Sequence, residues 1–301
     1  LAIHGGAGTI NREALSTEAE REYRGALQSI LEKGRDALAA GASALDAVTL
    51  AVSNAKLWSP EHPNLYELRV SLQRNGRIVD RVGSYFGLRK TSLGQDAAGV
   101  TRMMLNNKPY FQAGPLDQGF WPDGIYTAPT DEALAYDIKA TKQVGMNFCR
   151  KHVKVEPERW YYWCDKLGLA VWQDMPFATN NNTPEYHADF ENELFHMVVG
   201  RRNHPCIIQW VIFNEATGQH DTERYVNLVR EWDGSRLVDN ASGYNDAKCG
   251  DVIDIHPYPD PACPPLEANR AAVAGEFGGL GLSVPGHQWN GKGWGYREEA
   301  T

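Results

Sequence analysis

Two glutamates each lie where an apolar, strand-like run ends in a polar loop. Glu215 closes the run CIIQWVIFNE, and Glu276 lies at the end of AAVAGEF, ahead of a glycine pair. Strand ends on the carboxyl side of a parallel barrel fix side chains, while the loops that follow shape a pocket. Two carboxyl groups about 5–5.5 Å apart can act as acid/base and nucleophile at an anomeric carbon. The pair therefore predicts retaining hydrolysis of a glycosidic bond, against the alternative that each is a solvated loop residue.

The elements that would position this pair are short strands alternating with helices. Seven apolar runs predict strands, at residues 110–114, 146–150, 169–174, 206–213, 236–240, 251–255 and 271–276. Helices are expected between most of them, for example over 131–144 after the capping residue Thr130, and over 157–167. This alternation indicates parallel βα units and favours a (β/α)8 TIM barrel, of which seven strands can be counted. Glu215 ends the fourth strand and Glu276 the seventh, and these two strands face each other across a barrel mouth.

Two further segments precede the predicted barrel. Residues 1–53 predict a short α/β fragment, with a strand over 1–4, a glycine-rich turn and two helices. Residues 54–100 predict antiparallel strands, because alternating runs flank Asn75-Gly76, a dipeptide typical of tight hairpins. The expected domains are therefore residues 1–53, residues 54–100 and a barrel over residues 101–301.

Composition and charge narrow the possible partners. The 301 residues are 42% hydrophobic with a formal net charge of −8, and Lys and Arg form no stripe that would attract nucleic acid or an acidic membrane. No run reaches the roughly 18 apolar residues of a membrane span, and no basic start leads into a hydrophobic signal segment. We expect a soluble protein with no nucleic-acid or membrane partner. Its compartment stays open, with the cytoplasm as one alternative.

Other groups that could do chemistry have weaker support. Glu193 and His196 share a helix face, yet without a second such pair they do not predict a metal site, and no cofactor motif is present. His204 and His256 could belong to a site or to the core, and both are left out of the predicted catalytic set. Tryptophans could pack against sugar rings or lie in the core, the more common fate. The candidates are Trp121, Trp172, Trp210 and Trp289.

Six stretches between about residues 54 and 301 carry a family resemblance. They are LWSPEHPNLYELRV, GPLDQGFWPDGIYTAPTDEA, RKHVKVEPERWYYWCDKLGLAVWQDMP, IIQWVIFNE, DIHPYP and GEFGG. Together they resemble glycoside hydrolase family 2, which includes β-galactosidases, β-glucuronidases and β-mannosidases. The resemblance implies a carbohydrate substrate, and a TIM barrel preceded by remnant strands of an immunoglobulin-like domain. It also implies that the barrel is truncated and lacks its last βα unit.

The same resemblance implies a role for each matching residue. Glu215 would be the general acid/base and Glu276 the nucleophile. From the motifs present, we predict no metal and no cofactor. Asn214 would hydrogen-bond the 2-hydroxyl of the sugar, and Tyr258 would lie beside the nucleophile. The sugar subsite would be lined by three polar residues, Arg150, His152 and Asp174.

The first residues carry a second resemblance. IHGGAG and GASALDAVTLAV, within residues 1–52, resemble the start of isoaspartyl peptidases and plant-type asparaginases. That family uses a threonine nucleophile from a GTVG motif, which this chain lacks, so amide hydrolysis is not predicted. Two alternatives to an active glycosidase stay open: an inactive chimeric or truncated fragment and, with less support, an asparaginase-related hydrolase. A further hypothesis places residues 1–6 in the eighth strand position of the barrel.

Overall fold

The computed structural model describes residues 52, 54–177, 183–286 and 295–299. The expected strand and helices of residues 1–51 lie outside this part, as does the hypothesis that residues 1–6 complete the barrel. Within it, β1 (Tyr66–Arg74) and β2 (Arg77–Phe86) form an antiparallel hairpin. Asn75 and Gly76 form its turn with φ angles of 52° and 75°. Positive φ at both turn positions is typical of a tight hairpin, as the sequence predicts.

A second antiparallel sheet follows the hairpin. It contains β3 (Thr91–Gln95), β4 (Thr101–Leu105) and β5 (Lys108–Pro109), with β4 in the middle. Asn106 and Asn107 connect β4 to β5, both with positive φ. β4 and β5 therefore form a second, shorter hairpin.

Among the described residues, seven short strands form the wall of the barrel. They are β6 (Leu116–Asp117), β7 (Phe148–Lys151), β8 (Ala170–Asp174), β9 (Ile207–Val211), β10 (Leu237–Asp239), β11 (Val252–Ile255) and β12 (Ala271–Ala274). β6 to β10 are parallel and pair in sequence order, and β11 pairs in parallel with β12. Asp251 connects β10 to β11, because its backbone N–H donates to the Val238 carbonyl at 2.8 Å and its carboxylate accepts from the Val238 N–H at 2.7 Å. Beyond β12, β13 (Leu280–Leu282) pairs with β14 (Arg297–Glu299).

Helices follow four of these strands. They are α1 (Asp131–Gln143), α2 (Glu158–Leu167), α3 (Pro184–Arg201) and α4 (Thr222–Trp232), after β6, β7, β8 and β9 respectively. Thr130 caps α1 as predicted, because its hydroxyl accepts from the Ala133 N–H at 3.1 Å. Pro157 lies at the N-cap of α2 rather than in its first turn. In the part of the chain that the structure describes, no helix is long and apolar enough to cross a membrane.

The prediction of a first strand at residues 110–114 was wrong. The strand that pairs with β7 is β6, and the segment before it is tied to Asn147 instead. The Asn147 side chain accepts from the Ala113 N–H at 3.0 Å and donates to the Phe111 carbonyl at 2.9 Å. A side chain therefore replaces the regular ladder there, which an apolar run does not reveal.

The core has two layers, one on each side of the barrel wall. The outer layer packs the helices against the strands, with Ile138, Tyr161 and Leu194 among its members. The inner layer fills the barrel, and β4 contributes Met103 and Leu105 to it. Alternation along each strand creates this division, since successive side chains point to opposite faces. Towards the carboxyl ends of the strands, the interior changes from apolar to charged.

Candidate active site

The mouth at the carboxyl ends of the strands contains both predicted catalytic residues. Glu215 follows β9, and Glu276 follows β12. Glu215 has a left-handed backbone, with φ of 49°, and its N–H donates to the Ser242 carbonyl at 2.9 Å. A residue other than glycine adopts this conformation uncommonly and is held there by its surroundings. The turn after β9 therefore diverts Glu215 from the path of the strand.

Arg150, on β7, is buried at the centre of the mouth. Its Nε and Nη2 donate to the two carboxylate oxygens of Asp174, at 3.0 and 2.8 Å. Nη2 also donates to Asn214 Oδ1 at 2.9 Å, and Nη1 donates to Glu276 Oε1 at 3.0 Å. Burial alone would lower the pKa of Arg150, but the charge of Asp174 and other carboxylates outweighs burial and raises it. The guanidinium of Arg150, which stays charged, therefore donates hydrogen bonds to three predicted site residues, Asp174, Asn214 and Glu276.

Glu276 has hydrogen-bond partners on both carboxylate oxygens. Oε1 accepts from Arg150 and lies 3.5 Å from His152 Nε2, and Oε2 accepts from the Tyr258 hydroxyl at 2.6 Å. Burial raises the pKa of Tyr258, and the hydrogen bond to Glu276 raises it further, so the hydroxyl keeps its proton. Burial also lowers the pKa of His152. These partners hold the carboxylate in one orientation.

Glu215 has a more open environment than Glu276. Its side chain is 37% exposed, against 6% for Glu276. Its Oε1 lies 2.9 Å from His256 Nδ1. One oxygen of Glu215 and one of Glu276 lie within 4.8 Å of each other. Two carboxylates that differ in burial and in partners therefore share one mouth.

Comparison with protein families identifies the chain. The model for glycosyl hydrolases family 2 matches residues 8–89, and the model for the TIM barrel domain of that family matches residues 102–268, more than half of the chain. The chain belongs to glycoside hydrolase family 2. The first match overlaps most of residues 1–53, and the asparaginase-like resemblance of that segment stays a prediction.

Individual relatives of this family 2 chain are galactosidases and glucuronidases. The β-galactosidase of Lactococcus lactis is 30% identical over 217 residues, which cover 68% of this chain and 21% of the relative. The β-glucuronidase structure from Bacteroides uniformis matches with a TM-score of 0.60 at 26% identity, over 70% of this chain and 28% of that one. A β-glucuronidase structure from Parabacteroides merdae, at 20% identity and the same TM-score and coverage, supports the fold. The chain spans about a fifth of the length of the curated relatives it matches.

Four residues beneath the mouth of this family 2 chain were not in the predicted site. His256 Nε2 lies 2.8 Å from Ser242 Oγ, which lies 2.6 Å from Asp254 Oδ2. Asp239, on the neighbouring strand, is fully buried. Burial raises the pKa of Asp239, and the nearby charge of Asp254 raises it further. The spacing of Asp254 and His256, two residues apart at a strand end, could have revealed that both face the interior.

A metal ion does not fit the mouth. Donor atoms of Glu215, His256 and Glu276 lie close enough together to bind one. However, the Arg150 guanidinium already lies 3.0 Å from Glu276 Oε1 and 3.3 Å from His256 Nε2. A cation in this cluster would be repelled by Arg150 at short range. We therefore assign no metal to these residues.

The remaining candidates from the sequence lie elsewhere. Glu193 and His196 are exposed on α3 and line a cavity beside Met175, apart from the mouth. His204 belongs to a buried network with Asp165, at 2.6 Å. Trp172 and Trp210 are core residues, and Trp121 is half-buried. Trp289 lies outside the described residues.

Proposed function

We propose that this chain carries the active site of a retaining β-glycosidase, with Glu276 as the nucleophile and Glu215 as the general acid/base. The observation that carries the proposal is the approach of their carboxylate oxygens to within 4.8 Å. Retaining enzymes hold the two carboxyl groups about 5–5.5 Å apart, whereas inverting enzymes leave about 6.5–9.5 Å for a water molecule. The short separation favours direct attack by a carboxylate.

The different environments of the two glutamates support this division of roles. Glu276 is almost buried, and Arg150 and Tyr258 hold its two oxygens. A fixed carboxylate is positioned to attack an anomeric carbon without further reorganisation. Glu215 is over a third exposed, so the leaving group and the incoming water can both reach it. An acid/base must exchange protons with both.

The reaction follows from these two positions in two steps. First, protonated Glu215 gives its proton to the glycosidic oxygen as the bond from that oxygen to the anomeric carbon breaks. A Glu276 oxygen bonds to that carbon from the opposite face, which gives a glycosyl ester and a free alcohol. Then ionised Glu215 takes a proton from water, the water oxygen bonds to the carbon, and the ester bond breaks. Two inversions restore the original configuration, and both glutamates return to their first state.

The surrounding polar residues would bind the sugar. Asn214 Oδ1 is engaged by Arg150, which fixes the amide so that its nitrogen can donate to a 2-hydroxyl. Asp174 holds Arg150 through two hydrogen bonds and so supports the subsite from behind. The relatives act on β-galactosides and β-glucuronides by name, and we propose the same two substrate classes for this chain.

A panel of 4-nitrophenyl β-glycosides tests the proposal directly. We expect turnover of at least one galactoside or glucuronide, with the β-anomer as the first product by NMR. Glu276→Gln should abolish turnover, and Glu215→Ala should lower it by about 10²–10⁴-fold. Added azide should restore turnover of Glu215→Ala and give a β-glycosyl azide, because the anion needs no base. Glu193→Gln, an exposed glutamate away from the mouth, is the matched control.

Two results would contradict the proposal. An α-configured first product would mean inversion rather than double displacement. No turnover of any glycoside would favour the alternative of an inactive fragment. The immunoglobulin-like origin of residues 54–100, which the antiparallel sheets support, is part of the same proposal.

A further inference from the structure

A continuous chain of hydrogen bonds connects Glu215 to buried carboxyl groups. His256 Nδ1 lies 2.9 Å from Glu215 Oε1, and His256 Nε2 lies 2.8 Å from Ser242 Oγ. Ser242 Oγ lies 2.6 Å from Asp254 Oδ2. Asp239 lies next to Asp254, and its Oδ2 is buried. His256 is therefore the connection between the mouth and the interior.

We propose that His256 is a positioning residue for Glu215, and that Ser242 and Asp254 hold the imidazole so that its hydrogen bond to Glu215 reverses when Glu215 changes protonation. The proposal rests on the acid/base role given to Glu215 above. It assigns a task to a histidine whose Nδ1 lies within hydrogen-bond distance of that glutamate, while its Nε2 lies 3.6 Å from Glu276 Oε1.

Two proton arrangements satisfy every member of this chain. In one, protonated Asp254 donates to Ser242, Ser242 donates to His256 Nε2, and the Nδ1–H donates to ionised Glu215. In the other, protonated Glu215 donates to Nδ1, the Nε2–H donates to Ser242, and Ser242 donates to ionised Asp254. The two differ by the net shift of one proton along the chain. The imidazole is neutral in both, so no charge has to be buried.

The buried carboxyl pair is suited to hold the proton. Burial raises the pKa of Asp254, although Arg150 and Ser242 partly oppose this, and burial and the charge of Asp254 raise the pKa of Asp239. Two carboxyl groups that lie close together away from water do not both ionise readily. One of them can therefore stay protonated while Glu215 is ionised.

The other groups that face His256 restrict its orientation. Arg150 Nη1 lies 3.3 Å from Nε2, and Glu276 Oε1 lies 3.6 Å from the same atom. The positive charge of Arg150 and the negative charge of Glu276 have opposite effects on a proton at Nε2, so neither charge alone decides whether this nitrogen is protonated. The Tyr244 ring lies 6.0 Å away, and a side chain at Gly243 would press against the imidazole. The ring is thus packed as well as hydrogen-bonded.

Two substitutions separate the partners of His256. In His256→Asn the amide lies near the position of Nδ1 and can still bond Glu215. In His256→Gln the longer side chain places its amide near the position of Nε2, so the bond to Ser242 is kept and the bond to Glu215 is lost. Substrates with a phenyl or a 2,4-dinitrophenyl leaving group then measure acid assistance, because only the phenyl group needs a proton to leave.

We expect His256→Gln to lower kcat/KM for the phenyl glycoside by about 10–100-fold and for the dinitrophenyl glycoside by less than about threefold. His256→Asn keeps the bond to Glu215 but loses the support of Ser242, so its loss on the phenyl glycoside should be smaller than that of His256→Gln. Equal losses on both substrates would mean that His256 supports the fold or the nucleophile, and would overturn the proposal. So would a loss in His256→Asn as large as in His256→Gln.

A double variant tests whether His256 acts through Glu215. If it does, Glu215→Ala with His256→Gln should have the same phenyl glycoside activity as Glu215→Ala alone. A further loss in the double variant would show an independent role and overturn the proposal. Unchanged phenyl glycoside turnover in Glu215→Ala itself would instead contradict the proposed function, so the two failures are distinguishable.

Discussion

His204 connects the antiparallel strands to the barrel through a buried network of charged groups. Its Nδ1 lies 2.6 Å from Asp165 Oδ2, and its Nε2 lies 2.8 Å from Glu158 Oε2. The Tyr85 hydroxyl, at the end of β2, donates to the same Asp165 oxygen at 2.7 Å. Burial alone would lower the pKa of His204, but the charge and hydrogen bond of Asp165 outweigh burial and raise it from 6.5 to about 9.

This raised pKa predicts how stability depends on pH. The folded state binds the His204 proton more tightly than the unfolded state, so the stabilisation is complete below the unfolded pKa of 6.5 and is lost as the pH rises through about 9. A difference of roughly 2.5 units, at about 1.4 kcal/mol per unit, gives about 3 kcal/mol. The ring is 2% exposed, so water screens little of this energy.

Urea unfolding from about pH 6 to about pH 10 measures the effect. His204→Asn keeps an amide near the position of Nδ1 but cannot titrate, so it reports the same fold without the charge. We expect the wild type to be more stable than this variant at the acidic end, and the gap to shrink by about 3 kcal/mol towards the alkaline end. His196→Asn, an exposed histidine on α3, should follow the wild type at every pH. A gap that stays constant over the range would refute a charged His204.

Four further substitutions, one of them a control, test the site and the fold. Tyr258→Phe removes the hydroxyl that donates to Glu276 and should lower kcat by about 10–100-fold in steady-state assays. This magnitude is expected because a hydrogen bond to a charged group contributes about 1.5–3 kcal/mol. An unchanged kcat would show that this bond does not assist attack. Arg150→Met leaves buried carboxylates without a counter-charge and should lower the free energy of unfolding by about 3–5 kcal/mol in urea titrations. A loss below about 1 kcal/mol would mean that the carboxylates had become protonated or hydrated. Gly168→Ala should lower the free energy of unfolding by about 1–3 kcal/mol in thermal unfolding, because φ at this position is 77° and a Cβ would overlap a neighbouring carbonyl. Gly200→Ala, in an open helical position, is the control and should be neutral or stabilising by up to about 1 kcal/mol. Equal effects of the two substitutions would contradict this reasoning.

Much of the barrel could be predicted because its signals are local. Six of the seven predicted strands overlap observed strands, and Asn75-Gly76 forms the expected hairpin turn. Apolar runs, caps and turn residues act over a few neighbouring positions, so they can be read without knowing the rest of the chain. The first strand was missed for the same reason, since the side chain that replaces its ladder, Asn147, is over 30 residues away.

The position of Glu215 and Glu276 at strand ends followed from the amino-acid sequence, but their surroundings did not. The packing of the strands around one mouth places Arg150 between residues from four other loops and strands, and it makes His256, an ambiguous histidine in the sequence, the neighbour of Glu215. The buried charges of Asp239 and Asp254 likewise acquire their altered pKa values only when two strands meet. Periodicity along a chain determines which face a residue occupies, whereas distances across a barrel depend on how many strands close it and in which register. The tertiary structure therefore decides the distances between the two carboxylates and their partners, and with them the chemistry that the carboxylates can perform.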